Sequence, residues 1–139
     1  MAYPFIIKDG VRYPGGYSFP TIVAATNLYA QVANVASAAS ATPLGEGTFR
    51  ISVEINVTVI VVGCIVEVTY TDHNAVAQTD LIPIIKESTG TLTAGAFTTV
   101  DRWTGSYMIR ATSATAIVVK TISYVSGTYD LSTVIERVA

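Results

Sequence analysis

Residues 49–59 read FRISVEINVTV, and their alternation decides the fold. Phe49, Ile51, Val53, Ile55, Val57 and Val59 fall on one side of an extended chain. Arg50, Ser52, Glu54, Asn56 and Thr58 fall on the other. Successive side chains of a strand point to opposite faces, so this pattern predicts a strand with one buried and one wet face. Working outward, that strand is expected from Gly47 to about Thr58. A second is expected from Cys64 to Asp72, with Cys64, Val66, Val68 and Tyr70 opposite Ile65, Glu67, Thr69 and Thr71. Asp72-His73-Asn74 supplies turn residues whose side chains bond their own backbone. A third strand is expected from Ala77 to Ile85, where Pro83 suggests an edge or a strand end. Ser88 to Ala96 reads as a Gly/Thr/Ser loop. Further strands are expected at Phe97–Arg102, Ser106–Ala111, Ile117–Val125 and Tyr129–Val138. Ser126-Gly127-Thr128 makes the last two a hairpin. No convincing helix breaks the series, and no fixed-period repeat suggests a solenoid or propeller. The expected fold is all-β: a jelly-roll-like antiparallel β-sandwich of about eight strands with an extended N-terminal arm.

The chain divides near Pro43-Leu44-Gly45, giving an arm over residues 1–43 and a sandwich over residues 44–139. Residues 1–20 carry Pro4, Pro14, Pro20, Gly10, Gly15 and Gly16 among Tyr3, Phe5, Tyr13, Tyr17 and Phe19. Proline and glycine at this density prevent a long regular element. Aromatic residues at this density argue against a free disordered tail. An extended arm that docks its rings satisfies both facts. It packs either on its own domain or on a neighbouring protein. Residues 21–42 are ambiguous, because the Ala-rich stretch favours helix but shows no clean helical face. A first strand is read there from about Gln31 to Ser37.

Half of the 139 residues are hydrophobic and 13% are charged. That charged share is about half of the roughly 25% usual in soluble domains. Part of the apolar excess is therefore expected in a subunit interface, which implies a homo-oligomer. The net charge is −2 and the charges are spread singly. Nucleic acid and anionic membrane surfaces both select clustered Lys and Arg, so neither is an expected partner. Cys64 is the only cysteine, which rules out an internal disulfide; it reads as a small buried filler. The first residues lack the pattern of a signal peptide. The apolar run from Val57 to Val66 is too short for a transmembrane helix of about 20 residues.

No catalytic pattern emerges. His73 is the only histidine and reads as an exposed turn residue beside Asp72. Metal sites need several His, Cys, Asp or Glu ligands in reach, and the acidic residues are scattered, so no cofactor or metal is expected. Glu54 and Glu67, on successive predicted strands, are the best pair for glycoside hydrolysis, yet each belongs to its strand's polar set. Trp103 and the tyrosines suit a sugar platform, a β-core or a subunit interface, and the interface is the favoured reading. Neither a nucleophile elbow nor a phosphate-binding glycine loop is present. The chain is not expected to be an enzyme.

Three stretches resemble small β-sandwich structural proteins of tailed-phage virions, of the capsid decoration or cement type. They are GTFRISVEINVTV, IVEVTYTD, and the ending GSYMIRATSATAIVVKTISYVSGTYDLSTVIERVA. The resemblance spans about residues 31–139. It implies a homotrimer on the capsid surface of a virion, made in the host cytoplasm and bound to the major capsid protein. It brings no catalytic residues. A tail or head fibre module that binds a receptor or glycan is the alternative. One departure stands out: Val59, Ile60, Val61 and Val62 fall where a polar turn is expected, so burial at a subunit interface is predicted for them. Tyr3, Phe5, Tyr13, Tyr17 and Phe19 are the predicted partner-binding anchors of the arm.

Overall fold

The computed structural model describes residues 5–8, 11–14, 20–59, 64–93, 96–97, 100–123 and 127–139. Its strands are β1 (Phe5–Lys8), β2 (Val11–Pro14), β3 (Thr21–Gln31), β4 (Val35–Ala41), β5 (Gly47–Val59), β6 (Cys64–Thr71) and β7 (Ala77–Leu81). They continue with β8 (Ile84–Lys86), β9 (Thr91–Thr93), β10 (Ala96–Phe97), β11 (Arg102–Ala111), β12 (Ile117–Ser123) and β13 (Thr128–Arg137). There is no helix among the described residues.

The larger sheet runs β3-β13-β5-β11-β8-β9. The smaller runs β10-β6-β12-β4, with β7 also paired to β6. Every pairing is antiparallel. Taken alone, the eight strands β3, β4, β5, β6, β7, β11, β12 and β13 alternate between the sheets as jelly-roll strands do: β3-β13-β5-β11 faces β4-β12-β6-β7.

The alternation that opens the sequence builds the core. Phe49, Ile51, Val53, Ile55 and Val57 of β5 are all buried. They meet Leu131 and Ile135 of β13, Ile109 of β11, and Val66, Val68, Ile117 and Val119 of the facing sheet. Each buried aliphatic side chain contributes about 1.5–3 kcal/mol relative to exposure. At one corner an isolated bridge joins Asp72 to Ala111, and the Thr112 amide donates to the Thr71 carbonyl at 2.9 Å.

Several expected boundaries shift. Residues 21–41 are not arm but two strands of the sandwich, β3 on β13 and β4 on β12. The strand expected at 31–37 begins later, as β4 at Val35, and residues 32–34 are the crossing between the sheets. Ala30 adopts a left-handed φ of 51°, and its N–H donates to the Asp130 carboxylate at 2.8 Å. The buried Tyr129 hydroxyl then donates to the Ala33 carbonyl. The Ala and Ser of β4, which blurred the reading, leave Ala38 and Ala39 as its small buried contacts.

The expected strand at 77–85 also divides. β7 ends at Leu81 and joins the smaller sheet, while β8 begins at Ile84 in the larger one. Pro83 sits at the switch. The strand expected at 106–111 begins earlier, at Arg102, as β11, whereas Phe97, expected to open a strand running to Arg102, ends the short β10 on β6. Gly105 lies within β11 because the crossing chain passes against it. A Cβ at that position would lie 2.6 Å from the Pro83 carbonyl oxygen.

Candidate functional site

Among the described residues, the carboxylates and the histidine singled out from the sequence do not converge. Asp72 is consumed by its own turn: one carboxylate oxygen accepts the Asn74 and Val76 amides, the other the Gln78 side chain. The Val76 amide above all, and then the Gln78 amide, hold its carboxyl below the ordinary carboxylate range. The neighbouring His73 is exposed. Glu54 and Glu67, expected on adjacent strands, lie in different sheets and belong to the outer faces of each. Glu54 pairs with Arg102 at 2.9 Å, and Glu67 with Lys120 at 3.4 Å. Two carboxylates on opposite faces of a sandwich cannot flank one glycosidic bond.

Trp103 is neither a platform nor an interface residue. It is 4% exposed, and Lys86 Nζ lies 5.9 Å from its ring centroid. The tightest polar cluster is Asp80, whose Oδ2 accepts the Tyr70 hydroxyl at 2.7 Å and the Tyr107 hydroxyl at 3.2 Å. Burial first, and then the bond to Asp80, push the Tyr70 phenol well above its ordinary value. Tyr107 is raised by the same surroundings. This cluster ties β6 and β7 to β11 across the sandwich. Among the described residues no group of three His, Cys, Asp or Glu is placed to hold a metal ion. Nor is there, among the described residues, a helix long and apolar enough to cross a membrane.

One side of the sandwich exposes a surface that is uncharged and partly apolar. β3 and β4 are the terminal strands of the two sheets and pack on one another, so together they form one side of the sandwich. No Asp, Glu, Lys, Arg or His occurs from residue 13 to residue 45. Ile22, Val23, Tyr29 and Val32 are exposed on that side, Tyr29 to 72%. Charges on the outer faces are paired instead: Arg50 with Glu136, Arg102 with Glu54 and Glu87, Arg110 with Glu46, Lys86 with Asp101. At the β3 start a cleft of about 210 Å³ opens between Thr21, Val23, Pro43 and Leu44. Phe49 lies at its base, with the Arg137 guanidinium 5.8 Å from the ring centroid. Leu44, at its rim, is fully exposed.

The residues singled out from the sequence fall as follows. Val59 ends β5 and is 56% exposed; Ile60, Val61 and Val62 lie outside the described residues. Phe5 and Tyr13 belong to the β1–β2 hairpin, where Phe5 pairs with Pro14 and Tyr13 with Ile6. Tyr3, Tyr17 and Phe19 lie outside the described residues, as does the side chain of Cys64. The uncharged side formed by β3 and β4 is the feature that the alternation pattern missed. Its signal was the charge-free stretch itself, which crosses the boundary drawn at residue 43.

No family model matches the chain. No curated protein matches it either. Among solved structures, the SPBc2 prophage-derived protein YomS is similar with a TM-score of 0.41 and 8% identity, over 86% of this chain and 96% of that one. The CBM22-1–GH10 modules of Clostridium thermocellum endo-1,4-β-D-xylanase 10B, complexed with xylohexaose, are similar with a TM-score of 0.41 and 14% identity. That similarity covers 87% of this chain and 27% of the xylanase chain. Likenesses this distant carry no argument about function, which has to be read from the residues themselves.

Proposed function

We propose that this chain is a non-enzymatic virion structural protein, a capsid decoration or cement protein that stabilises a phage head by binding the major capsid protein as a homotrimer. One observation carries the reading. The sandwich devotes a whole side, β3 with β4, to uncharged and partly apolar edge strands, while its charges are held in pairs on the outer faces. Such a surface suits burial against protein. The dispersal of Asp72, His73, Glu54 and Glu67 supports an adhesive role over a hydrolytic one. The jelly-roll wiring is shared by many viral capsid domains, a likeness of architecture alone.

In this reading the arm supplies aromatic anchors to the capsid, and the sandwich supplies a rigid body. The test replaces Tyr13, Tyr17 and Phe19 with Ser and measures co-sedimentation with phage heads stripped of the protein. The variant should lose head binding while its cooperative unfolding stays unchanged. Wild-type binding by the triple variant would overturn the arm's role. Failure of the wild-type chain to bind any head would overturn the decoration reading.

A further inference from the structure

Two parts of the chain have a strand edge with no strand partner among the described residues, and each fits the other. The first is β3. Among the described strands it pairs with β13 alone, and it spans eleven residues, Thr21–Gln31, with no charged side chain. A long unprotected edge is a template for another strand; proteins usually guard it with charge, proline or bulges. Here register steps interrupt pairing near Val23 and Ala30, at the two ends. The middle, Ala24–Leu28, is regular and unguarded.

The second part is the β1–β2 hairpin. Its four residue pairs run from Phe5↔Pro14 to Lys8↔Val11, and among the described residues neither strand pairs with anything else. Asp9-Gly10 between them is a sequence that favours a two-residue hairpin connection. A two-stranded hairpin alone is marginal in water and needs a third strand or a packing surface. β1 carries Phe5, Ile6 and Ile7 and keeps all its N–H donors, whereas Pro14 deprives β2 of one. Its length matches the regular middle of β3.

We infer that the β1–β2 hairpin of one copy adds through β1 to the open edge of β3 in a second copy. This rests on the assembly reading above and names the contact that would build the homo-oligomer. Among the described residues the hairpin does not pair with β3 of its own chain, so the edge of β3 is available to a neighbour's hairpin. Residues 15–20 connect hairpin to sandwich and span at most about 20 Å when extended. The acceptor β3 must therefore begin close to the donor's own Thr21. A donor-to-acceptor contact of this kind is heterologous, and it closes into a ring when the rotation returns on itself, as in a trimer. Backbone bonds supply affinity in such strand addition, and alternate side chains supply specificity.

The test uses full-length chains carrying Cys64→Ser, so that only introduced thiols react. One chain bears Ile6→Cys or Ile7→Cys, one for each face of β1, and the other bears Ala25→Cys, an exposed position in the regular part of β3. Mixed and mildly oxidised, one of the two pairs should yield a covalent species of two chains. Placing both cysteines on one chain and finding only an intrachain disulfide would overturn the inference in favour of pairing within the chain. No cross-link in either pairing would also overturn it. The unaltered protein gives an independent reading by hydrogen exchange: amides on the open edge of Ala24–Leu28 should be protected at high concentration and exposed on dilution. Exposure at every concentration would overturn the contact. Head binding scored on the same variants separates the two ideas. Binding without a cross-link removes the clasp alone, and a cross-link without binding keeps the clasp and removes the decoration role.

Discussion

Tyr129 shows how much one hydroxyl can organise. Its ring is fully buried, and its oxygen lies 2.7 Å from both Thr121 Oγ1 and the Ala33 carbonyl. Thr121 Oγ1 in turn accepts the Val35 amide at 3.1 Å. Tyr129 thus joins β13, β12 and the crossing between β3 and β4. Tyr129→Phe takes the donor from the Ala33 carbonyl and the acceptor from the buried Thr121 hydroxyl, and should cost about 1–3 kcal/mol, read as a lower urea midpoint. Tyr70 and Tyr107 make a different prediction. Their raised phenol values mean that the fold holds the neutral form more tightly than the unfolded chain does. The stability they contribute is fully present below the ordinary tyrosine value of 10.0 and is lost as pH rises beyond it. The urea midpoint should therefore fall on raising the pH through that value, and the double Tyr→Phe variant should fall less. Neither role was legible in the sequence, where a tyrosine on a strand looks the same beside a carboxylate or beside solvent. The turn at Asp72 was legible. Its left-handed residue is Ala75, with φ of 61°, one position past that stretch, where the Asp72 carboxylate bonds as far as Val76.

At the level of elements, β3 and β4 are what the boundary at residue 43 would have cut away. They bring Val35, Ala38 and Ala39 into the core, with Ala24 and Leu28 packed against it. They also cover the outer edges of β13 and β12. A chain beginning at Pro20 should keep cooperative thermal unfolding and its near-ultraviolet circular dichroism. A chain beginning at Gly45 should lose both, since two long strand edges and much of the core would open to water. β5 and β6 were readable because their alternation is sustained, and β12 and β13 because a glycine-containing turn separates two β-branched-rich runs. β3 was hidden because its inward residues are Ala24, Thr26 and Leu28, which give little hydrophobic contrast with Ala25 and Asn27 beside them. β7 and β8 were read as one strand because a strand that changes sheets keeps its alternation through the crossing.

The whole molecule is asymmetric in charge. One side has no ionic group across two edge strands, while the outer faces carry ion pairs such as Arg102–Glu54 and Arg110–Glu46. Exposed pairs of this kind are worth about 0–1 kcal/mol each, so they set solubility and orientation more than stability. If assembly buries the uncharged side, it must stabilise the fold by mass action. The native mass by light scattering should then exceed that of one chain, and Tm should rise with protein concentration. Ala25→Lys, on the outer surface of β3, should shift the mass toward a single chain with little change in the Tm of the dilute protein. A concentration-independent Tm and a single-chain mass would argue that this side stays bare until a different partner covers it.

The amino-acid sequence by itself determined that this chain is all-β and that its core rests on the alternation of residues 49–59. Those properties follow from local periodicity and composition, which act over a few residues. The partition of strands between sheets was left to the tertiary structure. Hydrogen-bond pairing joins residues as distant as Asn27 and Ser132, and period-two patterning is blind to which neighbour a strand accepts. The same long-range pairing decided that Glu54 and Glu67 face apart, that Trp103 is core, and that an uncharged edge is left open along β3.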